Sequence, residues 1–563
     1  MGYYLNPEDV LELYKGETEK PYFVDKTAML EELITVLGQG RSYISVTRPR
    51  RFGKSVVAAM IGSFFGKGVD SNEVFAHLKV AGNKAYAKHL NQHNLIYIDF
   101  SRDVFECTSY DEYIKTIKMR LFDDLKEAYP DAKIREGDSL GATLRIVSMA
   151  NKNEKFLLVF DEWDYVFHRK YFTEEDRGKF TAFLGDITKG RAYVEMAYLT
   201  GVLPIKKYSA SDTMNHFAEY NMANSIRFWE YFGFTNAEVD ELYQRYQKFS
   251  PAPVVSREDL TDWYDGYHNE RKESIYNPNS VVLALTENMV SDYWPKAGEY
   301  DELKDYVLND IDGVRDAVML LAAGEPVKAN ISEYATTASV LKRRNEILSA
   351  MTVYGYLNYY NGCVRIPNRE LWEEFNRIIQ EEPKYSYMRE LEKESARILQ
   401  ATYDGDEETV GKVLAIVHTT ESPLKAYRES LAMQNRALRD GSAYVHDSRW
   451  KSWTYDEAEL SGSVKLAYIA ARNKYDMQRE DQAGIGYVDY IFYPYNRSDD
   501  GIIIELKVDD SPETALQQIK DKNYALKFQG KMGEQPKTTG RIILVGIGYY
   551  RKDKVHRCRI EVL

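Results

Sequence analysis

The nine residues Thr47-Arg48-Pro49-Arg50-Arg51-Phe52-Gly53-Lys54-Ser55 constrain this chain more than any other stretch. They follow the β-branched run Ser42-Tyr43-Ile44-Ser45-Val46 and open the apolar helical pattern of Val56, Ala59, Met60 and Phe64. A strand that turns through Gly-Lys-Ser into a helix is the layout of a phosphate-binding loop. Backbone N–H groups and the helix N-terminus cradle phosphates, the lysine pairs with the β/γ-phosphates, and the hydroxyl reaches Mg²⁺. Arg48 to Ser55 are therefore the expected nucleotide-binding set, with Ser55 also a metal ligand. Arg48 stands where the G-x-x-x-x-G-K-[ST] pattern has its first glycine. The bare tripeptide is thus a weak signal, and its strand-to-helix context carries the reading.

Such a loop needs an acidic partner on a neighbouring strand, and Lys155-Phe156-Leu157-Leu158-Val159-Phe160-Asp161-Glu162 supplies one. The apolar run puts Asp161 at the carboxyl end of a strand, where ligands bind in open α/β sheets. Asp161 is expected to hold the Mg²⁺ shell and Glu162 to polarise the attacking water. A buried strand ending in surface acids would look the same by itself; its pairing with Gly53-Lys54-Ser55 favours the site. Thr200, which ends a fourth strand before Gly201, is a candidate γ-phosphate sensor or an ordinary turn residue.

At 563 residues the chain exceeds one ordinary core, and two to four domains are expected. No stretch approaches the roughly 18 apolar residues of a membrane span, and the N-terminus lacks a signal-peptide pattern. Gly2 is followed by Asn6 where an acylation motif needs Ser or Thr. The three scattered cysteines, Cys107, Cys363 and Cys558, fit a reducing cytoplasm and exclude a disulfide framework or cysteine zinc cluster. A net charge of −13 argues against broad nonspecific binding to nucleic acid. From Ser511 onward, however, 11 Lys/Arg face 5 Asp/Glu, either a dock for a polyanion or a solvated basic face.

Strands are expected at 42–46, 95–100, 156–160 and 194–199, separated by helical patterns at 27–37, 113–129, 140–151 and 180–188. Strands apolar on both faces and alternating with helices indicate a parallel sheet covered on both sides. After Ser209 helical patterns dominate, with Thr235 and Glu238 marking a capped helix start. Residues 301–376 read as a small helical module with a β-pair at 356–358 and 364–366, in the manner of a winged helix. A charged helical stretch, 388–399, leads onward. From about Tyr455 the order becomes helix, hairpin, helix, strand.

Val24-Asp25-Lys26-Thr27, the Thr47–Ser55 run, Thr200-Gly201-Val202, Phe232-Gly233-Phe234-Thr235 and Trp263-Tyr264-Asp265-Gly266-Tyr267 together resemble the bacterial and archaeal AAA-ATPase-like family. That family carries Arg-Pro-Arg-Arg-Phe in this loop as its norm, so Arg48 need not mean a dead site. The resemblance spans residues 3–290 and implies the AAA-like fold and ATP binding.

Near the C-terminus, Gly486-Tyr487-Val488-Asp489-Tyr490-Ile491-Phe492-Tyr493, a turn at 496–501, and Ile502-Ile503-Ile504-Glu505-Leu506-Lys507-Val508 read as a β-hairpin. Glu505 and Lys507 are two apart and share a face. Asp489, Glu505 and the Leu506 carbonyl would suit Mg²⁺ or Mn²⁺, with Lys507 beside the nucleophile. The same tripeptide at Glu302-Leu303-Lys304 lies in a polar helical stretch and reads as a solvated face. The C-terminal copy interrupts a buried strand, where unpaired charges cost several kcal/mol, about 3–5 when a buried pair is broken. A structural Glu505–Lys507 ion pair is the rival explanation. This part resembles the PD-(D/E)XK nuclease superfamily over about 455–550, with Asp489, Glu505 and Lys507 on its motif. The resemblance also implies a helper role for Gln518 and an additional acidic metal ligand at Glu459, although Gly462 and Lys465 depart from the pattern.

The expected class is α/β: a P-loop parallel sheet sandwiched by helices (1–210), a helical lid region (211–299), a helical, winged-helix-like middle (300–450) and a nuclease-like α/β domain with a central hairpin (451–563). The expected function is an ATP-binding, ATP-hydrolysing module coupled to a metal-dependent nuclease acting on DNA phosphodiesters. The alternative is a nucleotide-controlled switch whose degenerate C-terminal domain only binds nucleic acid or protein. Cofactors are ATP with Mg²⁺, or Mn²⁺ at the nuclease site. Expected partners are ATP and, at the basic end, DNA, with no membrane; a homo-oligomer is compatible, and no arginine finger is identifiable.

Overall fold

Strands rich in Ile, Leu, Val and Phe on both faces need cover on both faces, and the first unit of the chain provides it. The computed structural model describes residues 2–37, 42–102, 107–135, 137–169, 171–205, 213–222, 226–294, 307, 309–322, 324–331, 341–381, 386–419, 455–483, 486–529 and 536–563. It comprises two units, Met1–Asp312 with Ala329–Glu374, and Gly313–Lys328 with Phe375–Leu563.

In the first unit, helices α1 (Asp9–Thr18) and α2 (Ala28–Val36) precede β1 (Tyr43–Thr47) and α3 (Lys54–Phe65). Then follow β2 (Asn94–Asp99), α4 (Tyr110–Ala128), α5 (Leu140–Ala150), β3 (Phe156–Asp161), α6 (Glu174–Thr188), β4 (Val194–Gly201) and β5 (Ala218–Tyr220). The sheet is parallel throughout, in the order β2-β3-β4-β1-β5. Alternation sends Phe156, Leu158 and Phe160 into one core with α4, α5 and α6, and Leu157 and Val159 into the other with α1, α2 and α3. Each such fully buried side chain contributes about 1.5–3 kcal/mol.

Two features differ from the sequence expectation. The acidic strand β3 is not the immediate neighbour of β1, because β4 lies between them. The short strand β5, Ala-Glu-Tyr, pairs with β1 beyond the point where the strand signal fades, since a three-residue edge has too little periodicity to read.

Beyond the sheet the same unit contains α7 (Asn236–Phe249), α8 (Arg257–Tyr264), the two-residue strands β6 (Tyr267–His268) and β7 (Ser274–Ile275), and α9 (Pro278–Glu287). The Thr235–Glu238 pair caps α7 reciprocally, as the sequence indicated. Further on come α10 (Arg344–Val353) and the hairpin β8 (Asn358–Tyr360) and β9 (Cys363–Arg365). This hairpin is shifted from the expected 356–358 and 364–366 pair. Asn361 and Gly362 both take positive φ, 50° and 76°, and Asn-Gly is the tight turn that sets the register. Glu302-Leu303-Lys304 lies outside the described residues.

In the second unit, helices α11 (Ser386–Asp404), α12 (Glu407–Thr419) and α13 (Tyr455–Ala467) accompany β10 (Tyr475–Ala483), β11 (Gly486–Pro494), β12 (Gly501–Val508), α14 (Pro512–Asp521), β13 (Ile542–Tyr550) and β14 (Val555–Val562). The sheet order is β10-β11-β12-β13-β14, antiparallel except for the parallel β12–β13 pair. Leu516 and Ile519 of α14 cover one face with Val488, Ile491 and Ile503. On the other, Tyr468 packs on Phe492 at 5.4 Å and the Tyr490 hydroxyl donates to the Ser461 carbonyl. The edge strand β14 escapes the sequence pattern because charged residues alternate with buried ones along it. Arg557 and Arg559, for example, flank buried Cys558. Among the described residues no helix is long and apolar enough to cross a membrane, and none of the three cysteines is in a disulfide.

Candidate functional sites

Gly53 caps α3 with φ at +85°, a conformation that suits glycine and turns the chain sharply from loop into helix. The first-turn N–H groups of α3 have no acceptor within the helix, so they point outward as donors. Lys54 is buried and folds back to donate to the Pro49 carbonyl at 3.1 Å. Arg50, Arg51, Phe52, Gly53, Lys54 and Ser55 line an open cavity of about 1360 Å³, with Glu162 on its wall. Helix α9 and the N-terminal segment supply apolar lining at Val282 and Leu285 and at Tyr22 and Phe23. These four were invisible to motif reading, because only the fold brings them to the loop.

Asp161 ends β3 almost wholly buried. Its Oδ1 accepts the Glu162 N–H at 3.0 Å, and its Oδ2 has no partner at hydrogen-bonding distance. Burial first, then Glu162 and Asp99, push its pKa up to about 8, while the nearby Ser55 hydroxyl and Lys54 pull it down. A buried carboxylate oxygen without a partner, close to a serine hydroxyl, suits a hard divalent cation. Glu162 stands in left-handed backbone, φ +48°, a strained conformation for a non-glycine residue. Burial raises its pKa, with Lys54 opposing and Asp164 and Asp99 adding to the rise.

Thr200 and Arg48 are placed otherwise than expected. The Thr200 hydroxyl is buried and donates to the Val46 carbonyl at 2.8 Å, tying β4 to β1. Arg48 is fully buried away from the cavity lining. It donates to the carbonyls of Thr47 at 2.8 Å and Tyr220 at 3.0 Å, and burial draws its pKa down to about 10. Pro49 likewise packs inward and offers only its carbonyl to Lys54. The cavity-lining part of the expected Arg48–Ser55 set is thus Arg50 to Ser55, because strand β5 draws the Arg48 side chain off the loop.

Asp164 was missed. Its Oδ2 accepts from the N–H groups of Val202 and Leu203 at 2.9 and 2.7 Å and pairs with His168 at 3.0 Å. Burial works against its charge, but His168, the Leu203 N–H and Lys54 together hold its pKa below the usual value. The Asp-Glu-Trp-Asp run held the signal: its last acid, Asp164, braces the loop after β4. Gly201 leaves room for that brace, since a Cβ there would lie 2.3 Å from Asp164 Oδ1 and 2.6 Å from Trp163 Cδ1. Gly201→Ala is expected to lower stability by about 1–3 kcal/mol, measured as a shift in urea midpoint at unchanged slope.

Glu370 is a further buried acid of this unit. It accepts from Ser280 Oγ at 2.8 and 3.0 Å and from the Tyr293 N–H at 2.9 Å. Burial raises its pKa from 4.5 to about 8 despite those donors. A raised folded pKa contributes stability that is complete below about 4.5 and is lost as pH climbs toward 8, at up to about 1.4 kcal/mol per pH unit. The thermal midpoint of the wild type should therefore fall more steeply between about pH 5 and 8 than that of Glu370→Gln.

In the second unit, pairing of Tyr490 with Ile504 sets Asp489 opposite Glu505, on the face covered by α14. Asp489 Oδ2 accepts the Leu506 N–H at 2.8 Å, and the Asp489 N–H donates to Glu505 Oε2 at 3.3 Å. Gln518 Nε2 donates to Glu505 Oε1, and Lys507 Nζ donates to Gln518 Oε1 at 2.6 Å while lying 3.6 Å from Glu505 Oε1. The four side chains expected to work together do converge. Among the described residues no cluster of three or more His, Cys, Asp or Glu has metal-holding geometry. The donor set is two carboxylates and a backbone carbonyl, all oxygen, which fits Mg²⁺ or Mn²⁺ and not zinc. Glu459 falls on α13, and its side chain lies outside the described ones. The basic C-terminal stretch is partly neutralised: Arg551 pairs with Asp509, Arg559 with Glu407 and Lys520 with Glu561. Lys552 and Lys554 remain exposed on the β13–β14 turn.

Each unit thus carries its own cluster of charged side chains, around Lys54, Asp161 and Glu162 in the first and around Asp489, Glu505 and Lys507 in the second. Residues 13–211 match the AAA-ATPase-like family model, described as "Predicted AAA-ATPase", and residues 459–556 match that of the PD-(D/E)XK nuclease superfamily. The chain thus joins an AAA-ATPase-like domain to a PD-(D/E)XK nuclease superfamily domain. A protein of Azotobacter chroococcum mcd 1, described as uncharacterized and encoded in the vnfD 5′ region, is 25% identical over 287 residues, which is 50% of this chain and 52% of that protein. The match thus spans about half the length of this curated relative. Among solved structures, a Walker-type ATPase of Pyrococcus abyssi is similar at 12% identity and a TM-score of 0.32, covering 62% of this chain and 94% of that one. The Aeropyrum pernix ORC2 protein, in ADPNP and ADP complexes, is similar at 14% identity and a TM-score of 0.32, covering 63% and 93%.

Proposed function

We propose that this chain binds and hydrolyses ATP in its first unit and uses nucleotide state to regulate metal-dependent cleavage of DNA phosphodiesters in its second. The observation that carries the reading is the double convergence: Lys54, Ser55 and Glu162 line one cavity with buried Asp161 close to Ser55 and Lys54, and Asp489, Glu505 and Lys507 of the strand pair meet Gln518 of α14. At the first site the α3 N-terminus and Lys54 hold the nucleotide phosphates, and the apolar Tyr22, Phe23, Val282 and Leu285 shelter the base. Ser55 Oγ and Asp161 Oδ2 would hold Mg²⁺, which when bound neutralises phosphate charge. Glu162, at the cavity wall with a raised pKa, accepts a proton from the attacking water.

At the second site Asp489, Glu505 and the Leu506 carbonyl would hold Mg²⁺ or Mn²⁺, which when bound polarises the scissile phosphodiester. Lys507 orients the attacking water and balances charge developing on the phosphate, and Gln518 fixes the lysine. Lys552 and Lys554 contact the DNA backbone. The scattered cysteines support a cytoplasmic setting. The test is nicking of supercoiled plasmid DNA in Mg²⁺ or Mn²⁺, with and without ATP or a nonhydrolysable analogue. Metal-dependent nicking whose rate changes with nucleotide supports the proposal. Binding of DNA without nicking in either metal would leave the second unit as a binding module.

A further inference from the structure

The motifs Phe232-Gly233-Phe234-Thr235 and Trp263-Tyr264-Asp265-Gly266-Tyr267 take no part in the chemistry above, yet both touch the phosphate loop. At the start of the loop the Arg48 guanidinium lies 5.1 Å from the Phe232 ring and 5.9 Å from that of Trp229, besides its two carbonyl acceptors. In the middle, fully buried Phe52 meets the edge of Tyr267 with ring centroids 5.1 Å apart at 87°. The Tyr267 hydroxyl donates to the Gly355 carbonyl at 2.7 Å. Gly355, φ +86°, lies close under Pro49: a Cβ there would be 2.6 Å from Pro49 Cβ. Arg51 takes a left-handed φ of 66° and donates to the Tyr293 carbonyl at 3.3 Å.

We propose that Tyr267 is a positioning residue for nucleotide binding: with Gly355 it clamps Pro49 and Phe52, and so gives the loop a phosphate-binding shape that its own sequence, lacking the first glycine, does not secure. The inference rests on reading Gly53–Ser55 as a phosphate cradle. A run of five residues without glycine, Arg48 to Phe52, is free to adopt many extended and turn conformations once unclamped. The ordering cost would then be met at binding, and affinity would drop accordingly. Arg48, Pro49 and Phe52 are held by these anchors, and Arg50 to Ser55 line the cavity. The clamp acts on the phosphate end of the ligand only, because none of its contacts involves the apolar residues assigned to the base.

The experiment compares ATP and adenosine binding by calorimetry for the full chain carrying Tyr267→Ala, Tyr267→Phe, Phe52→Leu, Gly355→Ala or Lys54→Ala, with thermal midpoints measured without nucleotide. Tyr267→Ala is expected to weaken ATP about tenfold or more while adenosine changes by less than about twofold. Tyr267→Phe, which keeps the ring on Phe52, should recover most of the ATP affinity. Gly355→Ala and Phe52→Leu should reproduce the selective loss, and Phe52→Leu keeps the clamp testable if Tyr267→Ala does not fold. Wild-type ATP affinity in Tyr267→Ala and Phe52→Leu, with Lys54→Ala unable to bind, would overturn the clamp and leave the nucleotide site standing. Equal loss of ATP and adenosine together with a collapsed midpoint would reduce Tyr267 to a general structural role and overturn it too. Normal ATP binding by Lys54→Ala would remove the cradle and the clamp with it.

Discussion

Lys54→Ala should abolish measurable nucleotide binding, and Glu162→Gln should preserve binding while slowing turnover. Lys54 is buried, with its ammonium held over the loop by the Pro49 carbonyl, so its charge is already oriented and largely desolvated before a ligand arrives. Hydrogen bonds to charged groups are worth about 1.5–3 kcal/mol each, so losing the contacts of one lysine to two phosphates lowers affinity by about 100-fold or more. Glu162 touches the cavity but not the cradle, and Gln keeps its shape and one acceptor. The proton-accepting function disappears, which costs about 10²–10⁴ in rate. Calorimetric titration with ATP and a phosphate-release assay read the two effects separately. Normal binding by Lys54→Ala would show that the loop is not a phosphate cradle.

The second large effect is expected at the hairpin. Asp489→Ala removes one of two carboxylates from the proposed metal set, and Lys507→Ala removes the charge beside the nucleophile. Each should reduce divalent-metal-dependent plasmid nicking by about 10²–10⁴-fold. The Lys507 variant leaves Glu505 and Gln518 bonded to each other, so the strand pair should keep its melting behaviour while activity is lost. Equal nicking by wild type and both variants would assign the cleavage to something other than this site. If none of the three nicked, and all bound DNA alike, the second unit would be a binding module whose Glu505–Lys507 contact is structural.

Much of the architecture was legible in the order of residues, and the reason is local. Strands β1 to β4 announce themselves because apolar residues on both faces leave a continuous run, and the helices between them because their apolar positions recur at helical spacing. Thr235 and Glu238 mark a helix start that needs no distant partner. The Glu505 and Lys507 pair was legible for the same reason, since a two-residue period puts side chains on one face of a strand whatever covers it, whereas the strand pairing sets Asp489 opposite Glu505. Edge strands β5 and β14 were not legible. Their length or their alternating charges depend on which neighbour they pair with, and no local periodicity records that.

What the amino-acid order determined by itself is the inventory: a strand–loop–helix with Gly-Lys-Ser, an apolar strand ending in Asp-Glu, and an acidic hairpin, each set by short-range spacing. Only the tertiary structure decided how that inventory is used. It inserted β4 between the loop strand and the acidic strand, and it spent the Thr200 hydroxyl on the Val46 carbonyl. It drew Arg48 into a carbonyl and aromatic box, made Asp164 the brace of Gly201-Val202-Leu203, and set Tyr267 against Phe52. These outcomes depend on contacts between residues far apart in the chain. Each is fixed by the packing of whole elements, in which a side chain buries its charge or its ring wherever the assembled neighbours leave a partner.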